Sequence, residues 1–297
     1  MTQRPSGKRT SPLIGYAGPM RTRADASADR QTGAQVHHAE WLDLLARHVP
    51  DGSVDLLYAD PPFNTGRTHR TPPNAGRRAG RSTKSAGERE SPPTVAEFAD
   101  TFASTAAFVD WLGERLTATL PKLRPAASVL IHVDWRTSHR VRVLLDDLLG
   151  ERGFVNHLVW AYGLGGSSPR RFARKHDDIL YYSLDPERCY FEAPRVAATS
   201  RRLAGRSKKA TDVLEVPSLN NMAQERTGYP TQKPLALLRM LIRACCPPGG
   251  LVLDPVCGSG TTLVAAVQEG RRAIGGDASE TAVGLSRARL AEAAGHG

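Results

Sequence analysis

The chain has 297 residues and a formal net charge of +10, with a pI near 9.8. That length can bury one large core, and the basic excess favours a polyanionic partner. The four cysteines, Cys189, Cys245, Cys246 and Cys257, lack zinc spacing and do not form a disulfide framework. No apolar run is long enough for a secretory leader or a bilayer span, so the expected setting is the reducing cytoplasm.

Residues 1–33 are basic and rich in Pro, Gly and Ser, which predicts a disordered tail. Gln35 to His38 reads as a short strand, and a helix starts at Glu40-Trp41 and stops near Pro50. The apolar run Val54-Asp55-Leu56-Leu57 reads as a buried strand closed by Tyr58-Ala59-Asp60-Pro61-Pro62-Phe63-Asn64. Neither proline can donate to a ladder, and each keeps the residue before it extended. The product is a rigid corner at a strand's carboxyl end, presenting a carboxylate and an aromatic face. Ligands of open α/β sheets bind outside such ends.

From Asn64 to Gly87 there is no acid, while Arg67, Arg70, Arg77, Arg78, Arg81 and Lys84 accumulate, so a basic insertion is expected over about 64–91. After Pro92-Pro93 a helix is predicted, with Val109, Leu112, Leu116 and Leu120 on its apolar face. Ser128 to Val133 is the next buried strand, followed by a helix carrying Val141, Leu144, Leu145 and Leu148 and ended by Gly150. Residues 156–162 and 178–182 read as an antiparallel hairpin at the sheet edge. Between them, Gly163 to His176 is glycine-rich and carries Arg170, Arg171, Arg174 and Lys175, which suits phosphate contact or a solvated turn. Residues 194–226 are again basic and irregular, with Arg201 and Arg202 among them.

Thr227-Gly228-Tyr229-Pro230-Thr231-Gln232-Lys233-Pro234 leads into a helix sharing Leu238, Leu241, Ile242 and Cys245 on one face. Leu251-Val252-Leu253-Asp254-Pro255-Val256-Cys257-Gly258-Ser259-Gly260-Thr261 is a strand, an acid and a Gly-x-Gly turn, with a helix from about Thr261. Glycines there allow close backbone approach, and the helix start carries positive partial charge. Ala273 to Asp277 reads as a further strand ending in an acid suited to ribose hydroxyls.

Asp60-Pro61-Pro62-Phe63 together with the Asp254 to Thr261 turn resembles the amino-methyltransferases of DNA, which methylate an exocyclic base nitrogen from S-adenosylmethionine. Asp-Pro-Pro-Phe is the form of their catalytic motif most associated with adenine N6. The catalytic corner precedes the donor strand, as in the circularly permuted β class. The resemblance covers roughly residues 35 to 290. It implies an α/β, Rossmann-like S-adenosylmethionine-dependent fold, with a mostly parallel twisted sheet, an antiparallel edge hairpin and one methyltransferase domain over 34–297.

Asp60, Pro61, Pro62 and Phe63 would be catalytic. The donor would be held by Glu40, Asp60, Thr231, Lys233, Asp254, Pro255, Val256, Gly258, Ser259, Gly260, Thr261 and Asp277. Two departures from the family pattern stand out: Ala39-Glu40 replaces its usual Gly-Asp, and Val256 stands where an aromatic is common. Arg67, Arg70, Arg77, Arg78, Arg81, Arg170, Arg171, Arg174, Lys175, Arg201 and Arg202, with the 64–91 and 194–226 segments, would meet DNA. The resemblance further implies double-stranded DNA as partner, a candidate cognate restriction endonuclease, a monomer or homodimer, a nucleoid-associated cytoplasmic location and no metal. Cytosine-N4 methylation, or DNA binding without catalysis, is the alternative.

Overall fold

A computed structural model describes residues 33–64, 67–70, 97–163, 167–198, 205–220 and 223–295, with 67–70 and 97–99 as backbone only. The elements in chain order are β1 (Ala34–His38), α1 (Trp41–His48), β2 (Val54–Ala59), β3 (Arg67–Arg70), β4 (Glu97–Asp100), α2 (Thr105–Thr119), β5 (Leu123–Val133) and α3 (Ser138–Leu149). Then come β6 (Phe154–Ala161), β7 (His176–Ser183), β8 (Arg195–Ala197), β9 (Ser207–Lys209) and β10 (Val213–Glu215). The chain closes with α4 (Leu235–Cys245), β11 (Leu251–Asp254), α5 (Thr261–Gln268), β12 (Arg272–Asp277) and α6 (Glu280–Ala294).

Eight strands form the main sheet in the order β1-β12-β11-β2-β5-β7-β6-β10. Only β7 runs against its neighbours, pairing antiparallel with both β5 and β6. Helices cover both faces, which explains why β2 and β5 are near-continuous apolar runs rather than alternating ones. Leu56 and Tyr58 pack on the face carrying α4, α5 and α6, with Leu238, Ile242, Val264 and Val283. Leu57 and Ala59 pack on the other, with Leu44, Phe108, Leu112 and Leu145 from α1, α2 and α3.

The permuted order has a direct structural expression. β1 pairs in parallel with β12, from Ala34 opposite Ala273 to His38 opposite Asp277. The strand at the start of the described chain therefore completes the half of the sheet built by its end. The expected hairpin of β6 and β7 forms, and β10 lies outside it, parallel to β6 with Val213 opposite Val159. Residues 194–226 are thus less irregular than expected. They hold the β8–β9 hairpin and that outer strand, whose Leu214 is buried in the core.

The helix expected directly after Pro92-Pro93 begins only at Thr105, capped by Ser104 Oγ accepting from Ala107 N at 3.1 Å. Residues 97–100 are instead drawn into antiparallel pairing with 67–70, Arg67 opposite Asp100. Phe108, Leu112, Leu116 and Thr119 are the buried positions of α2, one step round from the predicted stripe at its ends. Asn64 joins the two sides of the insertion. Its backbone N donates to Asp100 Oδ1 at 2.6 Å, and its Oδ1 accepts from Phe102 N at 2.9 Å. It does so with φ of 56°, a conformation that asparagine tolerates better than most side chains. The tail over 1–32 and most of the 64–91 insertion lie outside the described residues. No described helix is long and apolar enough to cross a membrane.

Asn64→Ala should leave the Phe102 amide unpaired while retaining the unfavourable positive φ. Thermal unfolding should show a loss of about 1–3 kcal/mol, and an unchanged midpoint would mean that the clasp contributes nothing.

Candidate active site

Three neighbouring strands end at the same level. Leu253 of β11 lies opposite Leu57 of β2, and Asp254 opposite Gly275 of β12. Asp60, Asp254 and Asp277 are consequently brought to one rim, around a cavity of about 270 Å³. Glu40, Pro61, Pro62, Phe63, Thr231, Lys233, Pro255, Val256, Gly258, Ser259 and Thr261 also line it. Fourteen residues singled out from the sequence are therefore gathered, though they span the chain from Glu40 to Asp277.

Gly260 is the exception. It does not line the cavity; a Cβ there would lie 2.6 Å from Ser286 Oγ, so this glycine serves the packing of α6 against the turn. Gly258 does border the cavity, where a Cβ would meet the Tyr229 ring at 3.1 Å. Asp277 is fixed by backbone amides, Oδ2 accepting from Gly258 at 2.9 Å and Oδ1 from Ser279 at 2.8 Å.

Lys233 donates to Asp60 Oδ2, and its ammonium lies 5.2 Å from the centre of the Phe63 ring. Phe63 is also stacked with His132, centroids 5.9 Å apart. Behind that ring, Tyr58 Oη is 2.9 Å from His132 Nδ1, and His132 Nε2 lies 3.4 Å from Asp177 Oδ2. Burial outweighs all else in pushing the Tyr58 hydroxyl pKa up, followed by the charges of Asp60, Asp254 and Asp177.

The cavity wall is strongly acidic. Glu40, Asp60, Asp100, Asp254 and Asp277 line it against Lys233 as the one lysine or arginine among the described lining residues. Burial, with Asp60 and Asp277 adding repulsion, pushes Asp254 up to about 7 despite hydrogen bonds from Thr262 and the Val256 amide. Burial also raises Asp277, against the pull of its two amides. A cationic ligand would relieve both, so the donor set suits a sulfonium compound.

Several lining residues lie outside the set that the sequence singles out: Tyr58, Asp100, Trp111, Tyr229 and Thr262. Trp111 comes from α2, and its ring carries Arg115 Cζ at 4.2 Å. Arg115 in turn reaches Glu40 at 3.5 Å. The aromatic side chain that Val256 lacks is thus brought to the wall by another element. Its only sequence signal is a tryptophan on the apolar side of a helix, which reads as core.

Of the basic residues expected at DNA, Arg170 and Arg171 are exposed on the β6–β7 loop. Arg174 lies with Cζ 3.4 Å from the Trp135 ring centre, and Lys175 Nζ donates to Gly163 O at 2.8 Å. Arg67 and Arg70 stand on β3, while Arg77, Arg78, Arg81, Arg201 and Arg202 lie outside the described residues. The four cysteines are free, three of them buried, and no metal-binding cluster occurs among the described residues.

A family model of N6 and N4 DNA methylases matches residues 54–287. The fold is shared with M1.HpyAVI solved with S-adenosylmethionine (TM-score 0.56, 20% identity, 86% of this chain and 98% of that one). It is shared equally with the cytosine-N4-specific PvuII DNA methyltransferase (TM-score 0.58, 16% identity, 89% and 92% covered). The chain belongs to the N4/N6 DNA methylase family, whose methyl donor is S-adenosylmethionine. Among relatives, the type II methyltransferase M.ScaI of Streptomyces caespitosus is 32% identical over 151 residues, 46% of this chain. That match spans half the length of M.ScaI, 50%.

The raised Asp254 pKa has a consequence for stability. Between its unfolded value near 3.8 and about 7, the unfolded chain loses this proton while the folded one keeps it, so stability falls as pH rises. Asp254→Asn should remove that contribution, about 1.4 kcal/mol for each pH unit between the two values, and flatten the decline of the ligand-free melting temperature across this range. An equally steep decline in the variant would show that Asp254 ionises normally.

Proposed function

We propose that this chain methylates the N6 amino group of adenine within a specific sequence of double-stranded DNA. The observation carrying this reading is that Asp60 and Phe63 share one cavity with the Asp254–Gly258 turn and Asp277. When bound, S-adenosylmethionine supplies an electrophilic methyl group on a sulfonium centre. Asp277, held rigid by two amides, has lone pairs left for ribose hydroxyls. Trp111 offers an aromatic wall in place of one at Val256, and Gly258 allows close approach at the turn.

An adenine amino nitrogen is a poor nucleophile because its lone pair is delocalised into the ring. Inside a duplex it is also out of reach, so the base must leave the stack. Asp60 then accepts one N6 hydrogen and the Pro61 carbonyl the other, drawing the nitrogen toward tetrahedral geometry. Entry of the base exchanges the Lys233–Asp60 ion pair for the hydrogen bond from the amino group. Phe63, steadied by its stack with His132, lies against the base. Pro62 keeps the corner stiff, and positioning accounts for most of the acceleration.

Adenine is favoured over cytosine by the Asp-Pro-Pro-Phe form of the corner; the shared fold is neutral on this point. Likeness to a type II methyltransferase supports pairing with a cognate restriction endonuclease.

Asp60→Ala should abolish transfer of labelled methyl to unmodified DNA while leaving donor binding largely intact, since its partner in the reaction is the base and Asp277 with the Asp254–Gly258 turn remains to hold the donor. Nucleoside analysis of the parent reaction should show N6-methyladenine; N4-methylcytosine as sole product would replace the substrate while keeping the site. By contrast, Asp277→Ala should weaken donor binding by about 1.5–3 kcal/mol, measured by calorimetry. Unchanged affinity would remove Asp277 from the donor site.

A further inference from the structure

Phe172 is 96% exposed, the most exposed of the large apolar residues described. A lone exposed apolar side chain is ordinary, but the setting of this one is not. It lies in Ser167 to Lys175, a stretch with Arg170, Arg171, Arg174 and Lys175 and no acid. The far end of that stretch is anchored. Tyr162 N donates to Lys175 O at 3.1 Å, Lys175 Nζ to Gly163 O at 2.8 Å, and Arg174 lies 3.4 Å over Trp135. Arg174 is also close enough to Arg171 and Arg136 to feel their repulsion, which an anion would relieve.

The anchor ties this stretch to the catalytic corner. Trp135 follows the end of β5, three residues beyond His132, and His132 is the residue stacked with Phe63. The loop enters β7 at His176, and β7 is antiparallel to β5, with Asp178 opposite Val133. Its base therefore lies at the same carboxyl rim as Asp60. Cationic side chains flanking a protruding aromatic match a partner with phosphates outside and stacked rings within. Proteins that distort duplexes use such apolar wedges between base steps, and aromatic stacking on a base tolerates any sequence.

We propose that Phe172 is a wedge that enters the base stack of duplex DNA at the position vacated when the target base turns into the Asp60 cavity, with Arg170 and Arg171 on the adjoining phosphates. This rests on the methyltransferase reading above and adds to it a residue that acts on the helix, outside the chemical step. Phe172 packs on nothing among the described residues, so its removal should leave folding and donor binding untouched.

The test uses the full chain, S-adenosylmethionine and duplexes carrying the site that base-resolution mapping identifies in DNA from an expressing host. One duplex is fully paired; in the other, the target base faces an abasic position and needs little energy to leave the stack. Phe172→Ala should slow single-turnover methylation of the paired duplex by about 10- to 100-fold. It should slow the abasic-opposed duplex by less than about threefold. 2-Aminopurine at the target position should lose its rise in emission on binding, and Phe172→Trp should retain it. Equal rates for parent and alanine variant on the paired duplex would overturn the wedge, as would an equal loss on both duplexes. A parent chain that methylates neither duplex overturns instead the underlying methyltransferase reading.

Discussion

The parallel pairing of β11 with β2 and β12 is the constraint on which the site depends. It sets Asp254 beside Gly275 and Leu253 beside Leu57, so the chain leaving each strand must turn at the same rim. Prolines then fix the turn after β2, and glycine shapes the turn after β11. No side chain has to reach far to meet its neighbours from other parts of the sequence. A slip of one residue in either pairing would move the acids to different heights and reverse the faces on which Leu56 and Leu57 pack.

That arrangement carries an electrostatic cost. Carboxylates crowded into a partly enclosed cavity repel one another, and burial raises Asp254 and Asp277. Lys233 offsets the repulsion at Asp60 in the absence of a base. The site is thus built to gain from a positively charged donor. The surface proposed to meet DNA has the opposite character: arginines stacked on or beside exposed aromatic rings at Trp135 and Phe172.

Much of this is legible in the residues because it is local. The Asp60 corner and the Asp254–Gly258 turn announce themselves through backbone constraints of proline and glycine that act within a few residues. The motif order, read through the resemblance to the permuted class, places the first strand in the half of the sheet built by the chain's end, and β1 does pair in parallel with β12. What stays hidden depends on contacts remote in sequence. The Lys233–Asp60 pair joins residues 173 apart, and the Tyr58–His132 contact spans 74. Trp111 reads as core because its ring stacks on Phe108 one turn back in α2 and packs against Phe102 from the preceding loop. β10 is concealed by its basic, polar surroundings, since a strand with a single buried residue, Leu214, has no periodicity to display. Gly260 reads as a ligand contact because a Gly-x-Gly pattern does not reveal whether a glycine clears space for a ligand or for a neighbouring helix.

In the proposed reaction one cavity holds the methyl donor and the reacting base together. A crystal structure of the chain with S-adenosylmethionine and a short duplex bearing the mapped target tests it most directly. Ribose hydroxyls should lie on Asp277, the donor's methyl should point toward the Asp60–Pro61 corner, and the target base should be turned out of the helix against Phe63. A donor seated away from Asp277, or a target base still paired in the helix with the donor's methyl directed away from Asp60, would contradict that arrangement.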